Sequence, residues 1–247
     1  MTDNRNITDY DDTEYEADFW GPRQYEDLVE KDVLAKFLSK KYDNFLDLGA
    51  GFGRLAVVYK DKATKATLLD YSKKLLDSAK KKFAKDKNLD FVQGSFYDLP
   101  FDDEYFDGGC SVRVMHHVED PDSYFKELHR VLKKDAEFIL EFANKRNVLE
   151  IVRSVLGKKD ALHPFSKQPE NRSQKGLTYN FHPSFIKQKL KEHGFIIVKK
   201  VDSSLLRSPF LKKVVGQERL AKLEKIVPLW IRKTCYTPSV FVKVKKK

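Results

Sequence analysis

Three of the chain's 11 glycines fall within five residues, at Gly49, Gly51 and Gly53 in the stretch "FLDLGAGFGRL", although the chain is 247 residues long. Glycine so concentrated marks a turn where a ligand lies against the main chain. The apolar run "NFLDLG" before it reads as a buried strand, and "GRLAVVYK" after it as a helix, so the turn joins a strand to a helix. In doubly wound α/β folds nucleotides bind at such a turn. The dinucleotide fingerprint is GxGxxG, with a third glycine for close helix packing. Here the spacing is GxGxG and the sixth position is Arg54, which argues against a dinucleotide; there is no GxxxxGK[ST] phosphate loop. Asp47 stands two residues before the turn, where an acid suits an ammonium group better than a pyrophosphate. Asp70 closes the next strand, where a carboxylate accepts hydrogen bonds from both hydroxyls of a ribose. An adenosine-bearing ligand with an amine and no phosphates satisfies all three features.

Two further residues could move a proton. His116 and His117 follow the fourth strand, where the crevice of such a sheet opens, and histidine is the usual base near neutral pH. The competing reading of the pair is packing or capping at the turn into the next helix. His163, His182 and His193 are alternatives in the C-terminal part, and "TYNFHP" (178–183) is aromatic enough to line a pocket or simply to enter a helix.

These residues need a frame. Apolar positions 25, 28, 29, 33, 34, 37 and 38 make one helical face, with Pro22 suited to the first turn. Strands are expected at 66–70, 89–93, 105–112 and 136–142, with helices from Ser72, a side chain placed to cap, and from Pro121 to Leu132. Strands alternating with helices imply βαβ units and a parallel sheet covered on both faces. Past Phe142 the rhythm breaks. Residues 143–180 are basic and polar with little periodicity past Leu156, a helix is expected in "HPSFIKQKLKEHGF" (182–195) with Gly194 as its stop, and strands at 195–201 and 239–244. Between those strands, 202–237 is rich in Leu, Val and Lys.

Hydrophobic content of 41% and charged content of 34% fit a soluble globular chain, and no apolar run approaches the roughly 20 residues of a membrane span. The acidic N-terminus has no apolar signal segment, which argues against export. Cys110 and Cys235 form no CxxC pair, so neither a disulfide scaffold nor a metal site is expected, and a reducing cytoplasm fits. The net charge of +10 is uneven: residues 1–30 carry −8, 31–142 carry zero and 143–247 carry +18. That excess is either a solvated lysine-rich surface or a face for an anionic substrate, nucleic acid or membrane headgroups.

The runs "LDLGAGFG", "LLDYS", "FVQGSFYDLPFDDEYFD", "VMHHVEDPDSYFKELHRVLK" and "FILEF", in this order, resemble the class I S-adenosylmethionine-dependent methyltransferases, in the branch typified by ubiquinone/menaquinone-type enzymes. The resemblance covers about residues 43–142. It implies a Rossmann-like doubly wound sheet, mostly parallel with an antiparallel last strand, helices on both faces and inserted helical lid segments. An acidic arm (1–21) would precede a single domain (22–247) with a cofactor-binding core at 40–142 and substrate or lid elements at 143–182 and 202–237. S-adenosyl-L-methionine would be held by Asp47 and the backbone of Gly49, Ala50, Gly51 and Gly53 at its methionine end, by Asp70 at the ribose, and by Tyr71, Ser95 and Phe96 around the adenine. Ser95 stands where the family usually has an acid. Ser111 and Arg113 would flank the methionyl group, and Arg23, with Tyr25 nearby, would meet its carboxylate.

Methyl transfer from a sulfonium is an in-line displacement, so the protein's main tasks are alignment and exclusion of water. A base such as His116 or His117 is needed only for a nucleophile that holds its proton tightly. The leading expectation is transfer to a small-molecule acceptor, lipidic or anionic, with peripheral membrane contact compatible with the basic lid. The alternatives are an RNA or protein methyltransferase using the basic C-terminal part, against which no NPPY-like tetrapeptide follows the fourth strand, and a non-catalytic cofactor-binding regulator.

Overall fold

The computed structural model describes residues 15–158, 161–171, 178–228 and 230–247. Most of the acidic arm therefore lies outside the described residues, as do parts of the segment 143–182. In chain order the elements are α1 (Gln24–Phe37), β1 (Tyr42–Leu48), α2 (Ala56–Tyr59), β2 (Ala63–Asp70), α3 (Lys73–Lys82), β3 (Leu89–Gln93), β4 (Phe106–Ser111), α4 (Pro121–Val131) and β5 (Leu132–Ala143). Then follow α5 (Val148–Val155), the two-residue strands β6 (Glu170–Asn171) and β7 (Tyr179–Asn180), α6 (Pro183–Glu192), β8 (Phe195–Ser203), α7 (Pro209–Val215), α8 (Gln217–Ile226) and β9 (Ser239–Lys246).

Seven strands form one sheet in the order β3-β2-β1-β4-β5-β9-β8. Pairings from β3 across to β5 are parallel, whereas β9 runs antiparallel to both β5 and β8. The last strand is thus the antiparallel one, and it lies inside the sheet. β3 and β8 are the edges. The order reverses at β1 and β4, which opens a crevice at the carboxyl ends of these two strands. One face packs under α4 and α6, with Tyr124, Phe125, Leu128, Ile186 and Leu190 against Leu46, Phe138 and Val242. The other packs under α1 and α3, with Leu34, Phe37, Ala79 and Phe83 against Phe45, Leu68 and Phe241.

Local signals set the element ends. The Ser72 hydroxyl accepts from Leu75 N–H (3.1 Å), and Asp120 accepts from Asp122 and Ser123 at the start of α4, as N-caps do. One expectation needs correction. "GRLAVVYK" is not a helix entered straight from the glycine turn: turns run to Leu55, and α2 is a single turn of helix. Two β-branched residues, Val57 and Val58, weaken it. Asn88 ends it by donating to the carbonyls of Lys60 (2.7 Å) and Ala63 (3.2 Å), so the chain turns directly into β2.

The segment 202–237 is helical and docks on α1. Leu220 and Ala221 of α8 pack on Tyr25 and Val29, and buried Glu224 receives the Ser204 N–H (2.7 Å) and the Tyr25 hydroxyl. In the other late segment the fully buried Lys145 pairs with Glu170 at the β6–β7 ribbon.

Candidate active site

The crevice at the sheet's switch point holds a pocket. Its floor is Asp47 at the end of β1. One wall is the turn Gly49, Ala50, Gly51 and Phe52. Leu69, Asp70 and Tyr71 come from the end of β2, Leu75 from α3, and Gly94 and Phe96 from the loop after β3. Val112, Arg113, Val114 and His117 follow β4, and Trp20, Arg54 and Leu55 complete the lining.

The turn has one backbone solution. Gly49 sits at φ +80°, and a Cβ built on it would lie 2.2 Å from Val114 Cγ2, so any side chain there collides with the pocket wall. Gly49 and Ala50 N–H both donate to the Leu69 carbonyl at 2.8 and 3.0 Å. Asp70 then secures the turn: its carboxylate accepts from Gly51 N–H (2.7 Å) and from Ser72 N–H (2.9 Å). The acid that sequence assigned to a ligand hydroxyl therefore also holds the loop in shape.

Asp47 is almost fully buried, accepting from the Tyr59 hydroxyl at 2.7 Å with the Cys110 thiol at 3.5 Å. Burial pushes its carboxyl up to about 6 from an ordinary 3.8, while hydrogen bonds from Tyr59 and Cys110 and the nearby Arg54 charge pull it back. Burial likewise raises the Tyr59 hydroxyl and the Cys110 thiol, so both keep their protons and serve as donors.

Two arginines, Arg54 and Arg113, line the same pocket. Arg54 pairs with Glu30 (2.6 Å) and Asp27 (2.8 Å) and lies 3.7 Å over the Trp20 ring. Arg113 Nε is 3.3 Å from the other oxygen of Glu30, and Arg113 N–H donates to the buried Glu141 at 2.9 Å. This bond supports Arg113 at φ +66°, a left-handed conformation that a non-glycine residue adopts at a cost. Glu30 thus ties α1 to both arginines.

Of the residues expected at the site, Asp47, Gly49, Ala50, Gly51, Asp70, Tyr71, Phe96, Arg113 and His117 meet in this one pocket. Arg23, Gly53, Ser95, Ser111 and His116 do not line it. Arg23 turns to the Phe19 carbonyl (2.6 Å) and stacks 3.7 Å over the Phe19 ring. Gly53 faces the core, where a Cβ would press on Phe83 and Leu68. The Ser95 hydroxyl accepts from Tyr97 N–H (3.1 Å) within its own loop. Ser111 is buried beside Tyr124. His116 is pressed against His117, ring centres 3.9 Å apart, and burial drives it well below the ordinary imidazole range, so it is neutral. Tyr25 belongs to the α1–α8 contact rather than to the pocket.

The other histidines have local duties. His182 Nδ1 accepts from Ser184 N–H (3.1 Å) as the cap of α6, and His193 Nε2 lies 2.8 Å from Asp122. Phe181 of "TYNFHP" is core.

Sequence reasoning used Arg54 only against a dinucleotide and passed over Trp20, Glu30 and Glu141. A signal for Glu30 exists: Glu26 and Glu30 alternate with the apolar positions of α1, and acids set so close to an apolar face imply buried partners.

Residues 46–140 match the family model described as "Methyltransferase domain". An uncharacterized methyltransferase of Bacillus subtilis is 35% identical over 98 residues, covering 38% of each chain. The ubiquinone/menaquinone biosynthesis C-methyltransferase of Francisella tularensis is 32% identical over 123 residues, covering 47% of this chain and 49% of its own. The chain thus spans from about two-fifths to half the length of these curated relatives. Among solved structures, a SAM-dependent methyltransferase from Thermotoga maritima superposes with a TM-score of 0.67 at 21% identity over 95% of both chains, a likeness of fold. The segment 46–140 thus matches a methyltransferase-domain model, on a mostly parallel, Rossmann-like sheet with a pocket at its switch point.

Proposed function

We propose that this chain is an S-adenosylmethionine-dependent methyltransferase acting on a small-molecule acceptor. The observation that carries the reading is one pocket holding two carboxylates, Asp47 and Asp70, on either side of a glycine turn with no phosphate loop.

The residues fit the cofactor. Asp47 lies where a carboxylate attracts an ammonium, held in place by Tyr59. Asp70 has about four acceptor sites, enough for its two backbone amides and ribose hydroxyls together. Phe96 and Leu75 offer apolar surface for an adenine. Arg54 and Arg113 line the pocket and would draw the cofactor's carboxylate by their charge, a role first expected of Arg23. When bound, the cofactor supplies an electrophilic methyl group on a positively charged sulfur.

The chain's own residues do the rest. Trp20 lies against both arginines at the pocket wall. Glu30 and Glu141 fix Arg113 so that the wall does not yield when an acceptor enters. If the acceptor atom is a hydroxyl, its proton passes to an imidazole nitrogen of His117, the only pocket-lining histidine among the described residues. The relatives named as quinone methyltransferases support a small apolar acceptor.

Calorimetry with S-adenosylmethionine and with its demethylated product tests the cofactor, and transfer of labelled methyl into fractionated cell extract tests the acceptor. Label in the lipid or small-molecule pool is expected. Label only in RNA or protein, or binding without transfer, overturns the acceptor reading, and absence of binding overturns the whole.

A further inference from the structure

Helix α5 is built inside out. Its acid Glu150 points inward and is 2% exposed, with its carboxylate accepting from Leu162 N–H (3.2 Å), while Asn147 caps the helix through Glu150 N–H (3.1 Å). Those polar contacts turn the apolar side chains outward: Val148 is 57% exposed, Leu149 62%, Val155 78% and Leu156 66%, with Val152 between them. The spacing i, i+1, i+4, i+7 and i+8 puts all five on one stripe. Phe165, just beyond, is also exposed. Single exposed apolar residues are ordinary, but a contiguous stripe held outward by a buried carboxylate marks a surface that something covers.

The charge around it indicates what. Residues 143–247 carry the chain's whole excess, 25 basic against 7 acidic side chains. Exposed Lys158 follows the stripe and exposed Lys167 stands two residues after Phe165, whereas the inward Glu150 pairs with Arg153 (3.8 Å) and Glu170 is bound to Lys145. An apolar stripe rimmed by cations matches the interface of an anionic bilayer, where the side chains sink among acyl chains and the lysines meet headgroups. No helix among the described residues is long and apolar enough to cross a membrane, so this contact lies on the surface. α5 follows the carboxyl end of β5, the same edge of the sheet on which the pocket is built.

We propose that α5, with Phe165 and its flanking lysines, docks this protein on an anionic membrane surface with the pocket on the docking side. The test is sedimentation of the full chain with vesicles of phosphatidylcholine alone or mixed with phosphatidylglycerol. Strong binding is expected only to the mixed vesicles. Val152→Glu with Val155→Glu, both outward-facing, should weaken it at least tenfold while the circular dichroism spectrum and cofactor affinity stay those of the parent. Lys158→Glu and Lys167→Glu should each cost about fivefold on mixed vesicles and nothing on neutral ones. Failure to bind mixed vesicles, or a double variant that binds like the parent, overturns the proposal. So does a parent that self-associates through the stripe and becomes monomeric in the double variant, for then a second copy is the occupant. Vesicle binding needs neither cofactor nor acceptor, so it can fail while the methyltransferase reading stands.

Discussion

The segment 46–140 and the region around α5 draw on similar side chains and use them in opposite ways. In the first, Leu128 and Phe138 are completely buried between sheet and helices, and apolar packing fixes every element. In the second, the leucines and valines of α5 face outward, and the fixed points are polar: Lys145 with Glu170, Asn144 donating to the Cys235 and Thr237 carbonyls (2.9 and 2.8 Å), and Glu150 with Leu162. Packing specifies the frame around the switch-point pocket. Directional hydrogen bonds specify the periphery and leave its apolar surface available for recognition.

The sharpest way to break this contrast is the same truncation in both regions. Phe138→Ala should cost about 3–5 kcal/mol in denaturant unfolding because it opens a cavity in the core. Val155→Ala should stay within about 0.5 kcal/mol. Equal losses would sink the contrast.

Next in size is Glu30→Ala, which leaves Arg54 and Arg113 without their shared acid. A loss of about 3 kcal/mol is expected, together with weaker cofactor binding by calorimetry. Normal affinity in a destabilised variant would limit Glu30 to a folding role.

Asp47→Asn separates binding from stability. In the folded chain the Asp47 carboxyl titrates near 6 rather than 3.8, so the fold binds this proton more tightly than the unfolded chain does. Asp47's contribution to stability is therefore fully present below about pH 4 and is lost as pH rises through 6. Removing the charge should make the variant more stable than the parent above pH 6, by up to about 3 kcal/mol. Cofactor affinity should fall in the same variant, and the parent's affinity should drop on acidification through pH 6. A variant no more stable than the parent at pH 8 would refute the burial cost.

The smallest effect concerns Arg23→Ala. With its guanidinium on Phe19, the change should move cofactor affinity less than about twofold, whereas Arg54→Ala should move it tenfold or more.

How much of this the sequence discloses follows from what each feature depends on. Strand and helix alternation is local, and the structure reproduces it with the antiparallel last strand. Asp47, Gly49, Gly51 and Asp70 sit at strand ends, whose place the topology dictates, so their convergence could be anticipated. Arg23 and Arg54 could not be told apart, because the choice rests on the angle at which α1 crosses the sheet and on which arginine reaches Glu30. Gly53 looked like a ligand contact because a scarce glycine is equally required where Phe83 presses on the turn. Ser95 shares this ambiguity, being a small polar residue beside the pocket whose hydroxyl turns to a partner in its own loop. The outward stripe of α5 was also hidden, since periodicity shows that a helix has an apolar face but not which way it points.

The last strand carries a consequence for how the molecule is made. β9, the final long element of the chain, lies between β5 and β8 and pairs with both along nearly its whole length. Until Ser239–Lys246 leave the ribosome, β5 presents an unpaired edge and β8 has no neighbour in the sheet. The family segment can form its parallel strands early, since domains generally fold N-terminal part first. It does so with an exposed hydrogen-bonding edge on β5 until β9 arrives, an opening through which nascent chains could pair with one another. Without β9 the chain would keep a five-stranded parallel sheet ending at β5, and β8 would be left with no strand to pair with.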